Sequence, residues 1–445
     1  MKLRLKPLLS IVSVLLVMNM HAQDKKIITL DEAIDLSLKN NHQLKTDQAK
    51  IEEATAAVKE ATERRLPNAS VSGTYMRLNS ANFNLKTKSD SSGGNGSGGG
   101  TPKVNQAAYG LLNVSLPIYQ GGKIKYGIES SRYLAEAVKL DATDDRDEVV
   151  QNTIEAFANL FKAKSAVRLV KENLAQSQQR VKDFSNLEKN GLLARNDLLK
   201  AQLQSSNLEL SLLDAENNAQ LANLNMNLML GLPNTTELMM DTTGIEKKND
   251  TRTLEEFVQA AKDNRKDMSA LTLRKKAAET GIKLAKADMY PSLQLTGGYI
   301  AADVPRVFTV TNALNVGAGV SYNIASLWKT KSKIQQANAK VVQLTESQAM
   351  LDDNITMQVN KSYLALISNR KKIQVYTTAV EQAEENYRIV KNKFDNSLAT
   401  TTDLLEADVA QLQSRLNYTL ARADAFVSYH KLLQVTGTLS TDLKK

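Results

Sequence analysis

Leu66-Pro67-Asn68-Ala69-Ser70-Val71-Ser72-Gly73-Thr74-Tyr75 returns 224 residues later as Tyr290-Pro291-Ser292-Leu293-Gln294-Leu295-Thr296-Gly297-Gly298-Tyr299. The Pro, the Gly and the Tyr keep their spacing. The same offset pairs Thr29-Leu30-Asp31-Glu32-Ala33 with Thr253-Leu254-Glu255-Glu256-Phe257, and Asn40 with Asn264. Farther along the offset becomes 206. It aligns Ile118 with Ile324, Lys123 with Lys329, Phe157 with Tyr363, Asp197-Leu198-Leu199 with Asp403-Leu404-Leu405, and Gly231 with Gly437. The chain is therefore a duplication of about 200 residues. The first half carries an 18-residue insertion between Tyr75 and Ile118. That interval holds Ser89 to Gly100, whose Gly and Ser content reads as a flexible polar loop.

Each half has the same order of elements. A helix is expected over Asp31–Arg65 and again over Glu255–Met289, with Thr29 or Asp31 as cap candidates and a stop before Pro67 or Pro291. Two strands follow in each half, Ala69–Leu78 with Tyr109–Tyr119, then Ser292–Ile300 with Ala313–Tyr322. Leu112, Val114, Leu116 and Ile118 alternate with Asn113 and Ser115, so one face is apolar and the other small or polar. Strands of about ten residues cross a bilayer when tilted. The same pattern also suits a half-buried sheet in a soluble domain.

A long helix comes next. Lys123–Asn190 predicts one of roughly 100 Å at 1.5 Å per residue, and Lys329–Asn396 repeats it. Leu160, Val167, Leu174 and Val181 are seven apart, as are Leu366, Ile373, Val380 and Tyr387, which is a coiled-coil seam. The returns, Leu198–Leu230 and Leu404–Val435, are half as long.

The remaining composition excludes several functions. With no Cys, thiolate metal sites, cysteine nucleophiles and disulfides are absent. His21, His42 and His430 are the three histidines, too scattered for a His-based centre, and no phosphate-binding Gly motif accompanies them. Lys2, Arg4 and Lys6 followed by apolar Leu8–Val17 and a break after Ala22 read as a secretory leader. Its removal lowers the formal charge from +9 by three. No Lys/Arg block suggests nucleic acid, and no later apolar run is long enough for a membrane helix.

The domain reading is thus a leader over 1–22, a first repeat over 23–233, a linker over 234–252, a second repeat over 253–439 and a tail over 440–445. Four strands per chain cannot close a membrane sheet, because no open edge can face lipid and the smallest barrels have about eight strands. Two chains would supply 8 and three would supply 12. The expected fold class is mainly α with membrane β, a duplicated unit of strand pair and long coiled-coil helix. It predicts a shared barrel standing on a hollow helical tube.

Over about Ile28–Leu439 the chain resembles the TolC-like outer-membrane efflux family. The features that carry the resemblance are Thr29-Leu-Asp-Glu-Ala33, Leu66-Pro67, Leu116-Pro-Ile-Tyr-Gln-Gly-Gly122, and the paired turns Asn190–Asp197 and Asn396–Asp403, in duplicated order. The resemblance implies a homotrimer with a 12-strand β-barrel in the outer membrane of a Gram-negative bacterium and an α-helical barrel in the periplasm. It implies a periplasmic adaptor and an inner-membrane pump or exporter as partners, contact with outer-membrane lipid, no nucleic acid, no cofactor and no catalysis. A structural coiled-coil stalk or adhesin is the alternative.

The resemblance also places the candidate sites. Asp403 and Glu406, with Asp197 in the first half, would lie at the pore constriction, where carboxylate rings favour cations. The competing reading is a helix cap, with Thr402 or Asp403 at the N-terminus and Asp403-x-x-Glu406 as a capping box. Lys200 stands where the second half has Glu406. Ala399 and Phe394 occupy the positions of an Arg and a Tyr that latch some relatives shut, leaving Arg195 as a candidate substitute. Gly191, Leu192, Leu193 and Ala194, with Ser397, Leu398 and Ala399, would be adaptor-docking tips, or else local packing. Tyr119, Tyr126 and Trp328 would mark the membrane interface or pack between helices.

Overall fold

The computed structural model describes residues 25–82, 103–241, 250–305 and 307–442. The expected leader, the Ser89–Gly100 loop, much of the expected linker and the end of the tail lie outside them. In chain order the elements are β1 (Lys25–Ile28), α1 (Leu30–Asn40), α2 (His42–Glu63), β2 (Asn68–Asn82), β3 (Lys103–Gln120), α3 (Lys123–Lys189) and α4 (Arg195–Leu230). The second half follows with β4 (Glu237–Met240), α5 (Leu254–Asn264), α6 (Lys266–Ala287), β5 (Ser292–Val304), β6 (Phe308–Ser321), α7 (Ser326–Asp395), α8 (Thr401–Val435) and α9 (Leu439–Asp442).

The opening helix of each half is broken, not continuous as the sequence predicts over Asp31–Arg65 and Glu255–Met289. In the first half Asn41 leaves helical geometry with ψ 129. Its N–H still closes on Ser37, while its side-chain oxygen accepts the N–H groups of Gln43 (2.7 Å) and Leu44 (3.3 Å). One residue thus ends α1 and caps α2. Arg265 makes the same break in the second half at ψ 128. Its guanidinium is held by Asp267 at 2.5 Å. Two residues matched in the sequence meet at each break. Gly231, at φ +68, lies against Asn40, and Gly437, at φ +68, lies against the Asn264 carbonyl. A Cβ on Gly231 would stand 2.9 Å from Asn40, and one on Gly437 3.0 Å from Asn264. Asn40 also donates to the Leu230 carbonyl at 2.6 Å.

The chain divides into two compact units, one of residues 1–49, 140–268 and 349–445, the other of 50–139 and 269–348. The first unit has a core that draws on both halves, with Phe157, Leu160, Met226, Leu230 and Phe257 beside Leu366, Leu432 and Leu433. The expected linker contributes to it, because β4 pairs in parallel with β1 and buries Leu238 opposite Lys26. Four-residue strands carry too little alternation to be seen in a sequence.

The second unit holds an antiparallel sheet in the order β2-β3-β5-β6. Its strands run to 15, 18, 13 and 14 residues, longer than expected. The register aligns rows across all four strands. Val71, Leu112, Tyr299 and Leu314 share one face, as do Ala69, Val114, Gly297 and Val316. The opposite face carries Ser70, Asn113, Gly298 and Asn315, and below them Asn68, Ser115, Thr296 and Gly317. Ile118 does not extend the apolar row. The ladder skips it between Pro117 and Tyr119, and Tyr119 joins Leu293 and Val320 instead. On the apolar face Val71, Leu112, Leu295, Leu314 and Val316 are exposed while Val114, Leu116 and Tyr299 are half-buried, and the outer edges of β2 and β6 have no strand partner among the described residues.

Candidate functional site at the helical turns

Both long helices end in the same turn. After α3, Gly191 adopts φ 71. Its N–H reaches Glu188, and the N–H of Leu192 reaches Leu187, both at 2.9 Å. After α7, Ser397 adopts φ 62, its N–H reaches Phe394 at 2.9 Å, and Leu398 reaches Lys393 at 2.7 Å. This left-handed stop satisfies two helix-end carbonyls. Gly accepts it freely, while Ser397 bears a steric cost that Gly191 avoids.

The turns throw one leucine outward in each half. Leu192 is 74% exposed and Leu398 is 76% exposed. Gly191, Ala194 and Ser397 are exposed as well, and Ala399 is half-buried. Leu193 points the other way. It packs on a cluster of Phe184, Leu198, Ala201 and Leu404, joined by Tyr387 and Phe394. Phe184 and Phe394 stack at 5.3 Å between ring centres, so a hydrophobic contact joins the halves here. Arg195 pairs with Glu188 of its own half at 3.6 Å.

The acidic candidates follow the turns. Thr400, not Thr402 or Asp403, is the N-cap of α8. Its hydroxyl accepts the Asp403 N–H at 3.2 Å, and the Asp403 carboxylate accepts the Thr400 N–H at 2.9 Å and hydroxyl at 2.8 Å. Asp403 thus closes a capping box that Thr400 opens, rather than opening one itself. These hydrogen bonds from the Thr400 backbone and side chain hold its carboxyl below the usual aspartate value. Glu406 is exposed one turn further along. The first half lacks the box, because Ala194 at the N-cap has no side-chain oxygen. There Lys200 donates to Asp197 at 3.3 Å and crosses to the Thr402 hydroxyl at 3.2 Å.

A buried network stands behind the turns that the sequence reading misses. Arg180 of α3 donates to Asp408 of α8 at 2.9 Å and to the Tyr387 hydroxyl of α7 at 3.2 Å. Asn173 donates to the other Asp408 oxygen at 3.2 Å. Burial alone would lower the Arg180 pKa, but the hydrogen bond and charge of Asp408, with Tyr387, raise it above the ordinary arginine value. The available signal was Asp408 standing one turn after Leu404, in an apolar register.

At the foot of the sheet, Trp328 and Tyr119 are exposed, and Tyr119 lies in the apolar row. Tyr126 is half-buried, with its ring against Gly122. Among the described residues no group of three or more His, Cys, Asp or Glu is placed to hold a metal ion. No helix there is long and apolar enough to cross a membrane.

A family model described as outer membrane efflux protein matches residues 33–232 and 257–438. Outer membrane protein TolC of Vibrio cholerae is 20% identical over 345 residues, which cover 76% of this chain and 78% of that protein. The Campylobacter jejuni CmeC outer membrane channel superposes with a TM-score of 0.76 at 17% identity, over 93% of this chain and 88% of its own. VceC, an outer membrane protein of Vibrio cholerae, gives 0.74 at 17% identity, over 92% and 96%.

Proposed function

Because the chain belongs to the outer membrane efflux protein family, we propose that three copies form an outer-membrane duct of a tripartite efflux or type I secretion system. The observation that carries this reading is the four-stranded sheet, whose rows nearer the helices set an apolar face against a small and polar one, and whose two edges are unpaired among the described residues. In lipid such a sheet must close. Pairing β6 of one copy with β2 of the next closes it at 12 strands, wide enough to enclose a channel. The polar face then lines the lumen.

The helices support the same closure. Met350, Met357 and Leu364 stand seven apart on α7 and are exposed. Leu203, Leu210 and Leu224 of α4 keep the same heptad register and are exposed too. These are unfilled coiled-coil seams, and in the trimer the α7 seam of one copy seats on the α4 seam of its neighbour. Residues 1–22 are a leader removed on export, and 23–233 and 253–439 are the two repeats that alternate around the tube.

In this assembly Asp403 and Glu406 ring the periplasmic opening with Asp197, and the outward Leu192 and Leu398 meet a periplasmic adaptor that couples the duct to an inner-membrane pump. Energy comes from that partner, and the duct itself catalyses nothing. The decisive experiment is negative-stain imaging of full-length protein extracted from the outer-membrane fraction. Hollow three-fold particles are expected. Solid rods or a monomer would discard the duct and favour a coiled-coil stalk.

A further inference from the structure

The foot of the sheet holds a cavity of about 420 Å³ between β3, β5, β6, α3, α6 and α7. A second, of about 750 Å³, continues it along α7 and shares Lys123, Asp288 and Lys333. Gln120, Ser292 and Ser321 line the first cavity. Gln120 pairs with Ser292, and Ser292 with Ser321, in the row that continues the polar face. The cavity therefore opens on the polar side of the sheet, opposite Tyr119.

Its charge is one-sided. Lys329, Lys333 and Lys340 follow one another at helical spacing on a single face of α7, and Lys123 of α3 faces them. Asp288 is the one carboxylate in either lining. It grips Lys123 at 2.5 Å and Lys333 at 2.7 Å, and those two hydrogen bonds hold its carboxyl below the usual aspartate value. It leaves Lys329 and Lys340 uncompensated in the lining. Lys123 is the first residue of α3 and Lys329 lies in the first turn of α7, and neither first turn holds an acidic residue. Positive side chains at the positive end of a helix oppose the dipole. Two helices break that rule at one cavity, and such local violations collect at functional sites. The N–H groups of Ser326 and Leu327 in the first turn of α7 already close on Asn323 and Ile324, so an anion here would be held by the lysine side chains.

We propose that this cavity is an oxyanion-binding site, which takes phosphate-, sulfate- or carboxylate-bearing solutes and forms a basic collar inside the duct. The collar rests on the duct reading, which sets the polar face toward the lumen. Three copies repeat it around the channel where strands give way to helices. It gives anionic cargo a holding point in the lumen.

The probe is pyrophosphate at low salt. Titration calorimetry on detergent-purified full-length protein reads binding, and single-channel recordings in planar bilayers read block. Wild type is expected to bind, and Lys329→Gln, which breaks no recorded ion pair, to weaken binding about tenfold, the scale of one charge at close range. Asp288→Asn is expected to tighten it by a similar factor, whereas a merely structural clamp would give lower stability and no change in affinity. Channel block should follow the same order. No binding by wild type, or equal affinity for Lys329→Gln, overturns the site. Binding in the expected order without any effect on current overturns its place in the lumen. Trimers that bind pyrophosphate but conduct no ions at all would refute the duct and leave the anion site standing.

Discussion

Single side chains set the local electrostatics of the helical unit. Asp144 of α3 has its pKa raised to about 6 by burial, with Asp267, Asp147 and Asp145 adding to the rise and Arg265 opposing it. A folded state that holds the proton more tightly loses stability as pH rises, here between the unfolded value near 4 and the folded value of about 6. Asp144→Asn should therefore stabilise the protein at pH 7.5, by on the order of 1 kcal/mol once solvent screening of this half-exposed group is discounted, and do little at pH 4. Thermal unfolding at the two pH values checks it, and equal shifts would refute it. Arg180 and Asp408 pose the opposite case. Their side chains are 9% and 1% exposed, so Arg180→Ala strands a buried carboxylate and should cost about 3–5 kcal/mol. The double change Arg180→Met with Asp408→Leu should cost less, and an equal loss in both would mean that the pair is not the source.

At the scale of elements, the two halves share an order and differ in their ends. The turn after α7 has the box that the turn after α3 lacks. Thr400→Ala should destabilise by about 1 kcal/mol, and Ala194→Ser should add a cap and stabilise by a similar or smaller amount. Denaturant midpoints of both variants test the pair, and a neutral Thr400→Ala would show the box to be idle. The element order was legible from the repeat and from periodicity alone. The breaks at Asn41 and Arg265 were not. Neither position is Gly or Pro, and each break is met by the end of a return helix 191 or 173 residues away, through Gly231 on Asn40 and Gly437 on Asn264. Strand ends were underestimated because Asn79-Ser80-Ala81-Asn82, Asn105-Gln106-Ala107-Ala108 and Ala301-Ala302-Asp303 break the alternation while the ladder continues.

At the scale of the molecule, one chain leaves work unfinished. Among the described residues two sheet edges and two heptad seams are open, and one sheet face exposes Val71, Leu314 and Val316. Met357→Glu or Leu210→Glu places an unpaired charge in the proposed α7–α4 contact. Each should abolish three-fold particles at a cost of about 2 kcal/mol or more per interface, with helix content by circular dichroism unchanged. Intact trimers would move the interface elsewhere. Leu192→Asp with Leu398→Asp should instead leave trimers intact and stop export, and normal export would remove the adaptor contact from these turns. Asp403→Ala with Glu406→Ala should reduce cation preference in single-channel recordings. Unchanged reversal potentials would take both residues out of the constriction.

The sequence alone determined the duplication, its single insertion, the succession of helix, strand pair, long helix and return, and the resemblance to the efflux family. Repeats and periods of two and seven are properties of the chain itself, so they need no knowledge of what lies beside it. The tertiary structure decided which residues of a matched pair do the same work. Leu192 and Leu193 are neighbours in one apolar run, yet one faces solvent and the other fills the Phe184 cluster. Asp197 and Asp403 align, yet only Asp403 closes a capping box. Arg180 meets Asp408 across 228 residues, and β1 meets β4 across a similar span. Such contacts are fixed by packing between distant segments, where a side chain's direction depends on its neighbour and not on its place in the repeat.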